Sequence, residues 1–310
     1  MTANGLAQPT PAVRAKGQPV WLDMDQKELD DAYDQRVYAA NMRQVLARTH
    51  RNSELVRERL GAPKRLAYGP TPIEALDLYP TKAANAPINV YIHGGAWRVE
   101  VAKDNAAQAE MLINAGAHLA VLDFNNVIET GGSLMVMADQ VRRGVVWIYK
   151  NARSLGGDPE RIYISGHSSG GHWVGVLLTT DWQKDFGVPP TMIKGGVAGS
   201  GMFDLKPVRL SARSNYVKFT DEVEESLSPG GAGRPCLWHR RDAGVSAPEP
   251  RLCRRCQGGG QTCDTFRHGR IQPLRGRGAT RKSVQPIRPR GVRADEPSLG
   301  VKVAARFAIA

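Results

Sequence analysis

The sequence predicts an α/β domain with a doubly wound, mostly parallel sheet, because short apolar segments alternate with helical ones from residue 88 onward. The predicted strands are 88–92, 118–124, 161–165 and 193–200, and the predicted helices lie near 104–115, across 136–153 and from 169 to about 180. Short apolar strands separated by such helices are typical of a parallel sheet covered on both faces. Glycine-rich turns directly after two of these strands, at 93–97 and 166–170, support this architecture.

The residues that precede the predicted sheet in sequence are expected to form a helical layer. Residues 23–49 are rich in helix formers and contain no Gly or Pro, which favours one or two helices. We therefore expect a flexible N-terminus over 1–22 and a single core domain over 23–229, whose N-terminal helices could cap an active site. A length of 310 residues, 41% of them apolar, allows one sizeable core.

Residues 230–310 differ sharply in composition from the rest of the chain. They hold 15 Arg and 2 Lys against 5 acidic residues, so the whole formal net charge of +12 lies there and the main body is neutral. All four cysteines also fall in this stretch, and cysteine-free preceding residues suit a reduced compartment. Strand and helix periodicity stops after Pro229. The pattern predicts a sheet that is incomplete at the C-terminus, followed by a basic tail that is either disordered or a frameshift product.

The sequence shows no secretory or membrane-spanning segment. The N-terminus lacks the apolar run of about 7 to 15 residues that a signal requires, and no apolar stretch reaches about 18 residues. These observations predict a soluble, cytoplasmic protein without a membrane partner.

A candidate nucleophile lies between a predicted strand and a predicted helix. Gly166 and Gly170 flank Ser168 in the pattern G-x-S-x-G. Small residues on both sides allow a sharp turn that holds a serine hydroxyl clear of the sheet. The pattern alone also fits an ordinary glycine-rich turn, so its context carries the prediction.

That context is a second glycine motif after the strand at 88–92. Consecutive Gly94 and Gly95 let backbone N–H groups face a bound carbonyl, and the N–H of Ser169 at the helix start would complete an oxyanion hole. His93 and Trp97 flank the two glycines, and we expect His93 to orient the loop rather than transfer protons. Two such motifs, both at strand ends and in this order, predict a serine hydrolase.

With these motifs the chain resembles the α/β-hydrolases of the esterase and arylformamidase (kynurenine formamidase) type, which carry an HGGxW loop and a GHSxGxH elbow. The matching segments are HGGAW (93–97) and GHSSGGH (166–172), with further similarity at 68–80, 139–152 and 200–211. The resemblance covers roughly 25–229. It implies the α/β-hydrolase fold and hydrolysis of a small-molecule carboxylic ester or amide through an acyl-enzyme on Ser168, with no cofactor and no metal. His167 and His172 are then packing or pocket residues.

The rest of a catalytic triad is missing from the sequence as written. In this fold the acid and the histidine follow the serine in that order. The resemblance places them in segments like YGTDExxEFxRQ and YNHFE, and neither occurs after residue 229. The tail offers only Asp242, Asp264, His239 and His268, none of them in a predicted strand-end loop.

A shifted reading frame accounts for this loss. Each codon of residues 236–263 can be read from its second base, with synonymous codons chosen, to give AYGTDETPEFQRQNRDFAAAVKAAGKPV. The same shift turns residues 271–275 (IQPLR) into YNHFE. The acid then falls where Arg240 is written and the histidine where Pro273 is written. We hypothesise that the sequence after about residue 230 is a frameshift product.

Two other interpretations stay open. A genuine tail could bind zinc through Cys236, Cys253, Cys256 and Cys263, or nucleic acid through its arginines. A single C-x-x-C pair and the lack of interleaved aromatic residues argue against both, so we expect no nucleic-acid partner. The chain could also be a hydrolase-like protein without activity. Substrate identity and oligomeric state are not predicted.

Overall fold

The computed structural model describes residues 14–230. Its strands are β1 (Pro19–Trp21), β2 (Met24–Asp25), β3 (Lys64–Ala67), β4 (Ala75–Tyr79), β5 (Ala86–Ile92), β6 (His118–Leu122), β7 (Gly157–His167) and β8 (Ile193–Gly199). Its α-helices are α1 (Gln26–Ala32), α2 (Gln35–Tyr38), α3 (Met42–Leu60), α4 (Ala109–Asn114), α5 (Leu134–Asn151), α6 (Ser169–Leu178), α7 (Trp182–Phe186), α8 (Lys206–Leu210) and α9 (Asp221–Leu227). Two 3-10 helices span Ala102–Asn105 and Ala212–Asn215.

Strands β3 to β8 form one six-stranded sheet in the order β3-β4-β6-β5-β7-β8. The pairs β6–β5, β5–β7 and β7–β8 are parallel, whereas β3 and β4 are antiparallel to their neighbours. The predicted doubly wound, mostly parallel sheet is therefore confirmed, and each of the four predicted strands is present with ends shifted by a few residues. Two features of the N-terminal half were not predicted.

The first is the antiparallel pair β3–β4. All five residues of β4 are buried, including Asp77, whose carboxylate lies 3.0 Å from the guanidinium of Arg65 on β3. A charge inside a buried strand interrupts the apolar run, so periodicity alone does not detect the strand. The ion pair satisfies the carboxylate and allows its burial.

The second is the division of the helix predicted near 104–115. The structure has a 3-10 helix at Ala102–Asn105 and the short α4. The Ser53 hydroxyl donates to the Asp104 carbonyl at 2.8 Å and accepts from the Ala106 N–H at 3.1 Å. A side chain of α3 therefore supplies hydrogen bonds at the break between the two segments.

Three helices replace the one or two expected within 23–49, and the last of them, α3, continues to Leu60. Strand β1 also forms inside the stretch expected to be flexible over 1–22, where it pairs with β2. The Asp25 carboxylate accepts from the N–H of Gly17, just before β1, and from the N–H of Glu28, so it caps α1 and fixes the segment before β1. Residues 1–13 and the predicted tail lie outside the described residues.

The centre of the sheet carries the core, and β8 is the edge strand of the sheet that residues 14–230 form. Ile88, Val90 and Ile92 of β5 are fully buried. The edge strand β8 is different, since Val197 is 67% exposed and the neighbouring Tyr163 of β7 is 41% exposed. No helix within residues 14–230 is long and apolar enough to cross a membrane.

Candidate active site

Ser168 occupies a strained turn between β7 and α6. Its backbone has φ 57° and ψ −124°, a combination that residues with a Cβ seldom adopt. The surrounding structure maintains this geometry, because the Ser168 N–H donates to Gly199 of β8 at 2.8 Å and its carbonyl accepts from His172 at 3.0 Å. The side chain is half-buried, and within residues 14–230 its hydroxyl has no hydrogen-bond partner.

The turn closes against the end of β5. A Cβ at Gly170 would lie 2.1 Å from the Ile92 carbonyl oxygen, and one at Gly166 would lie 2.5 Å from the Gly170 carbonyl oxygen. Only glycine permits these contacts between backbones. Gly171, which the motif analysis did not single out, has the same role on the other side, where a Cβ would lie 2.5 Å from the Gly199 carbonyl oxygen.

The close approach brings the second glycine motif beside the serine. A Cβ built on Gly94 would lie 3.5 Å from the Ser168 Cβ. Gly95 has φ +88°, and its carbonyl accepts from Arg98 and Val99 in the turn that follows. The backbone N–H of Trp97 donates to the Ser169 hydroxyl at 3.2 Å, so a direct hydrogen bond joins the loop to α6.

Three backbone amides of this region make no hydrogen bond within residues 14–230. Among the hydrogen bonds of the described residues, none uses the N–H of Gly94, Gly95 or Ser169. The N–H of Ser169 also stands at the first position of α6, where a helix has no internal acceptor for it. Unpaired amides beside a serine hydroxyl are the arrangement that an oxyanion requires.

His93 is placed to shape the loop. Its ring is buried and stacks on Phe124 with centroids 4.4 Å apart, and its Nδ1 lies 3.3 Å from the Gly94 carbonyl oxygen. Burial lowers the pKa of the imidazole below its ordinary value. A neutral, enclosed ring of this kind supports the expectation that His93 orients the loop.

Sequence analysis missed Asp123, a buried carboxylate behind this loop. It lies 2.6 Å from the guanidinium of Arg65, accepts from the Ala102 N–H at 2.6 Å and stands 3.8 Å from Nε2 of His93. The carboxylate therefore connects β3, the end of β6 and both sides of the glycine loop. An aspartate directly after an apolar strand was the available signal, but nothing in the sequence identified its partners.

The two histidines of the elbow have different environments. His172 is fully buried against Trp97 and Trp173, and its Nε2 lies 2.8 Å from the Leu227 carbonyl oxygen, which attaches the end of α9 to α6. His167 is exposed. The packing alternative of the prediction is therefore correct for His172, and the pocket alternative stays a prediction for the exposed His167.

No catalytic base or acid accompanies Ser168 within residues 14–230. The nearby His93 and His172 are engaged in packing, and no histidine of the described residues bonds to the serine hydroxyl. The tail residues considered from the sequence lie outside the described residues: Cys236, His239, Arg240, Asp242, Cys253, Cys256, Cys263, Asp264, His268 and Pro273. Within the described range, no group of three or more His, Cys, Asp or Glu could hold a metal ion.

Comparison with known proteins agrees with this architecture. The BD-FAE family profile matches residues 76–195. Kynurenine formamidase of Salmo salar is 29% identical over 221 residues, which cover 67% of this chain and 71% of the relative, and the Danio rerio enzyme of the same name is 28% identical with the same coverage. Isoprenylcysteine alpha-carbonyl methylesterase of Arabidopsis thaliana is 30% identical over 124 residues, 39% of this chain and 29% of that protein.

A solved structure gives the same result for the fold. A thioesterase candidate from Silicibacter sp. TM1040 superposes with a TM-score of 0.53 at 23% identity, covering 65% of this chain and 74% of that one. Fold and relatives together define an α/β-hydrolase, a class of hydrolytic enzymes. Within that class the chain is similar to the BD-FAE family over residues 76–195 and to kynurenine formamidases over two thirds of its length.

The environment of His172 predicts a pH dependence of stability. Burial lowers its pKa to about 4, whereas the unfolded chain has a histidine pKa of about 6.5. The unfolded state then binds the extra proton between these values, so the free energy of unfolding falls as pH drops from about 6.5 to about 4, by about 3 kcal/mol from this group. Urea denaturation at several pH values measures it.

His172→Gln should flatten this slope, and His167→Gln, at an exposed position, should leave it unchanged. An identical slope in the parent chain and in His172→Gln would contradict the assignment.

Proposed function

We propose that this chain is a serine hydrolase that cleaves a carboxylic ester or small amide through an acyl-enzyme on Ser168. The observation that carries the proposal is the strained turn that sets the Ser168 hydroxyl beside the free amides of Gly94, Gly95 and Ser169. Backbone strain of this kind is retained where the fold over-determines it, often at a reacting group.

The chemistry follows from the geometry. The Ser168 oxygen attacks the substrate carbonyl carbon and its proton passes to a base, while the carbonyl oxygen becomes an oxyanion that accepts from the three amides. Collapse of the intermediate breaks the bond to the alcohol or amine, which leaves with the proton. Water then attacks the acyl-enzyme, and the carboxylic acid departs as the serine recovers its proton.

The base and the acid are the parts of the mechanism that residues 14–230 do not supply. We infer that they belong to the shifted frame, at the places written Pro273 and Arg240. The open edge at β8 supports this inference, because exposed Val197 and Tyr163 are apolar surface that a further strand and helix would cover.

The relatives favour two substrate classes. Kynurenine formamidase suggests an arylformamide, and isoprenylcysteine alpha-carbonyl methylesterase suggests a carboxylic ester. The formamidases match over a larger share of this chain, so an arylformamide is the first substrate to test.

An inactive hydrolase-like protein is the second candidate. One observation favours it, namely that the Ser168 hydroxyl has no partner within the described residues. Without a base, the serine remains protonated and is a weak nucleophile.

Ser168→Ala should abolish both turnover and covalent labelling by a fluorophosphonate, because the change removes only the attacking oxygen. Mass spectrometry of labelled peptides, from the chain with its frame restored, locates the adduct. Ser154→Ala, at an exposed position, is the matched control and should label like the parent. An adduct that persists in Ser168→Ala would assign the nucleophile elsewhere.

Gly95→Ala should slow acylation by about 10² to 10³, the typical worth of one oxyanion donor. The added Cβ would meet the Val99 carbonyl oxygen at 2.0 Å and displace the loop. Gly131→Ala is the control for left-handed backbone, because Gly131 has φ +65° with open space around its Cβ position. Stopped-flow acylation by p-nitrophenyl acetate checks both, and equal rates would remove Gly95 from the oxyanion site.

The chain as written should show almost no hydrolysis, and a single-base correction near codons 229–236 should restore it. Loss of the base leaves only oxyanion stabilisation and binding, roughly 10³ to 10⁴ over the uncatalysed rate. Sequencing of codons 225–300 and assays with short p-nitrophenyl esters and N-formylkynurenine test this. Class-typical activity of the literal chain, or a gene that does not encode YNHFE in the shifted frame, would contradict it.

A further inference from the structure

Two arginines that are distant in sequence meet at one tyrosine beside the glycine loop. The guanidinium of Arg98 lies over the ring of Tyr216, 4.2 Å from its centroid, and Arg213 donates to the Tyr216 hydroxyl at 2.6 Å. The guanidinium carbon of Arg213 is also 5.9 Å from the centroid of the Trp97 ring. Arg98 is exposed, Tyr216 is half-buried and Arg213 is only 7% exposed.

The guanidinium of Arg213 forms no close ion pair within residues 14–230, although its charge adds to the hydrogen bond from Arg36 in lowering the pKa of Asp34. Its hydrogen bonds go to the Tyr216 hydroxyl and to the backbone carbonyl of Tyr33 at 3.0 Å, and both of these acceptors are neutral. Buried charges are normally paired, because desolvation without a partner costs several kcal/mol. An enclosed guanidinium with neutral partners is therefore a site that would gain from binding an anion.

Neighbouring carboxylates are already engaged. Asp34 binds Arg36 at 2.7 Å, and Asp204 accepts from the N–H of Lys206 at 2.9 Å. The guanidinium of Arg98 likewise forms no ion pair in the described part of the chain, and its contact is the face of the Tyr216 ring. Two cations thus flank one tyrosine with no carboxylate between them.

The cluster adjoins the candidate nucleophile. Trp97 contacts Arg213 and donates through its backbone to Ser169, the residue after Ser168. Gly94 is only three residues from Trp97, a distance of at most about 11 Å along the chain. The indole Nε1–H of Trp97 is buried and has no acceptor within the described residues, which leaves a second unsatisfied donor in the same place.

We propose that Arg213, Arg98 and Tyr216 form a subsite that binds a carboxylate on the substrate while Ser168 attacks a carbonyl elsewhere in the same molecule. The proposal rests on the hydrolytic function above and narrows it to anionic substrates. A planar guanidinium binds a carboxylate through two parallel hydrogen bonds, and the tyrosine hydroxyl adds a donor. The half-buried ring of Tyr216 provides an apolar surface for an aryl group.

The test compares two ligands that differ by one carboxylate. Isothermal titration calorimetry of the full chain is performed with 2-formamidobenzoate and with formanilide, its neutral counterpart. The carboxylate should bind at least about tenfold more tightly, as expected for charge-assisted hydrogen bonds. Arg98→Gln and Arg213→Gln should each reduce that preference severalfold or more and leave formanilide binding unchanged. Arg209→Gln removes a surface cation already paired with Asp221 and Glu224 and should preserve the preference.

Arg98→Gln alters an exposed side chain, so it keeps the test decisive if Arg213→Gln does not fold. Equal affinities for the two ligands in the parent chain would overturn the subsite, as would a preference that survives both Arg98→Gln and Arg213→Gln.

Fluorophosphonate labelling of Ser168, in the chain with its frame restored, separates this proposal from the proposed function. Labelling without a carboxylate preference removes the subsite alone. A carboxylate preference that depends on the two arginines, without labelling, supports the subsite and removes the serine mechanism.

Discussion

The contact between the start of α6 and the end of β5 is the constraint on which the candidate site depends. The Cα of Gly170 comes so close to the Ile92 carbonyl that no side chain fits between them. Since β5 and β7 are adjacent and parallel, the turns after them emerge at the same edge of the sheet. The serine turn and the glycine loop consequently meet, and the Trp97–Ser169 hydrogen bond joins them.

A cluster of charged side chains, two of them buried carboxylates, lies behind this contact. Asp123 and Asp77 both pair with Arg65, so one guanidinium compensates two carboxylates in the interior. Desolvation offsets much of the attraction in such clusters, and their stabilising effect is therefore small. Their geometric effect is larger, because Asp123 also accepts from the Ala102 N–H and lies near His93, so it contacts residues before and after the glycine loop. We interpret the cluster as a device that holds the loop's shape.

Residues 14–230 contain the candidate nucleophile and the amides near it, but they contain no base or acid beside the serine. Nucleophile turn, free amides and loop support all lie within residues 14–230, and their geometry needs nothing from the rest of the chain. We infer that proton transfer requires residues outside 14–230. Burial lowers the pKa of both His93 and His172, and the exposed His167 makes no side-chain hydrogen bond within the described residues. The sheet shows the same division, since its centre is fully covered while β8 leaves Val197 exposed.

The sequence by itself determined the parallel strands, the two glycine turns and the identity of the candidate nucleophile. These are local properties, because apolar periodicity and glycine spacing act over a few residues. Only the tertiary structure decided the β3–β4 pair, the partners of Asp123 and the meeting of Arg98 with Arg213 across Tyr216. Paired residues of β3 and β4 are 8 to 14 positions apart, whereas Arg65 and Asp123 are 58 apart and Arg98 and Tyr216 are 118 apart. Such contacts depend on strand order and loop packing. Sequence patterns of short period carry no information about either, which is why the charged residues around the site were found only in the folded chain.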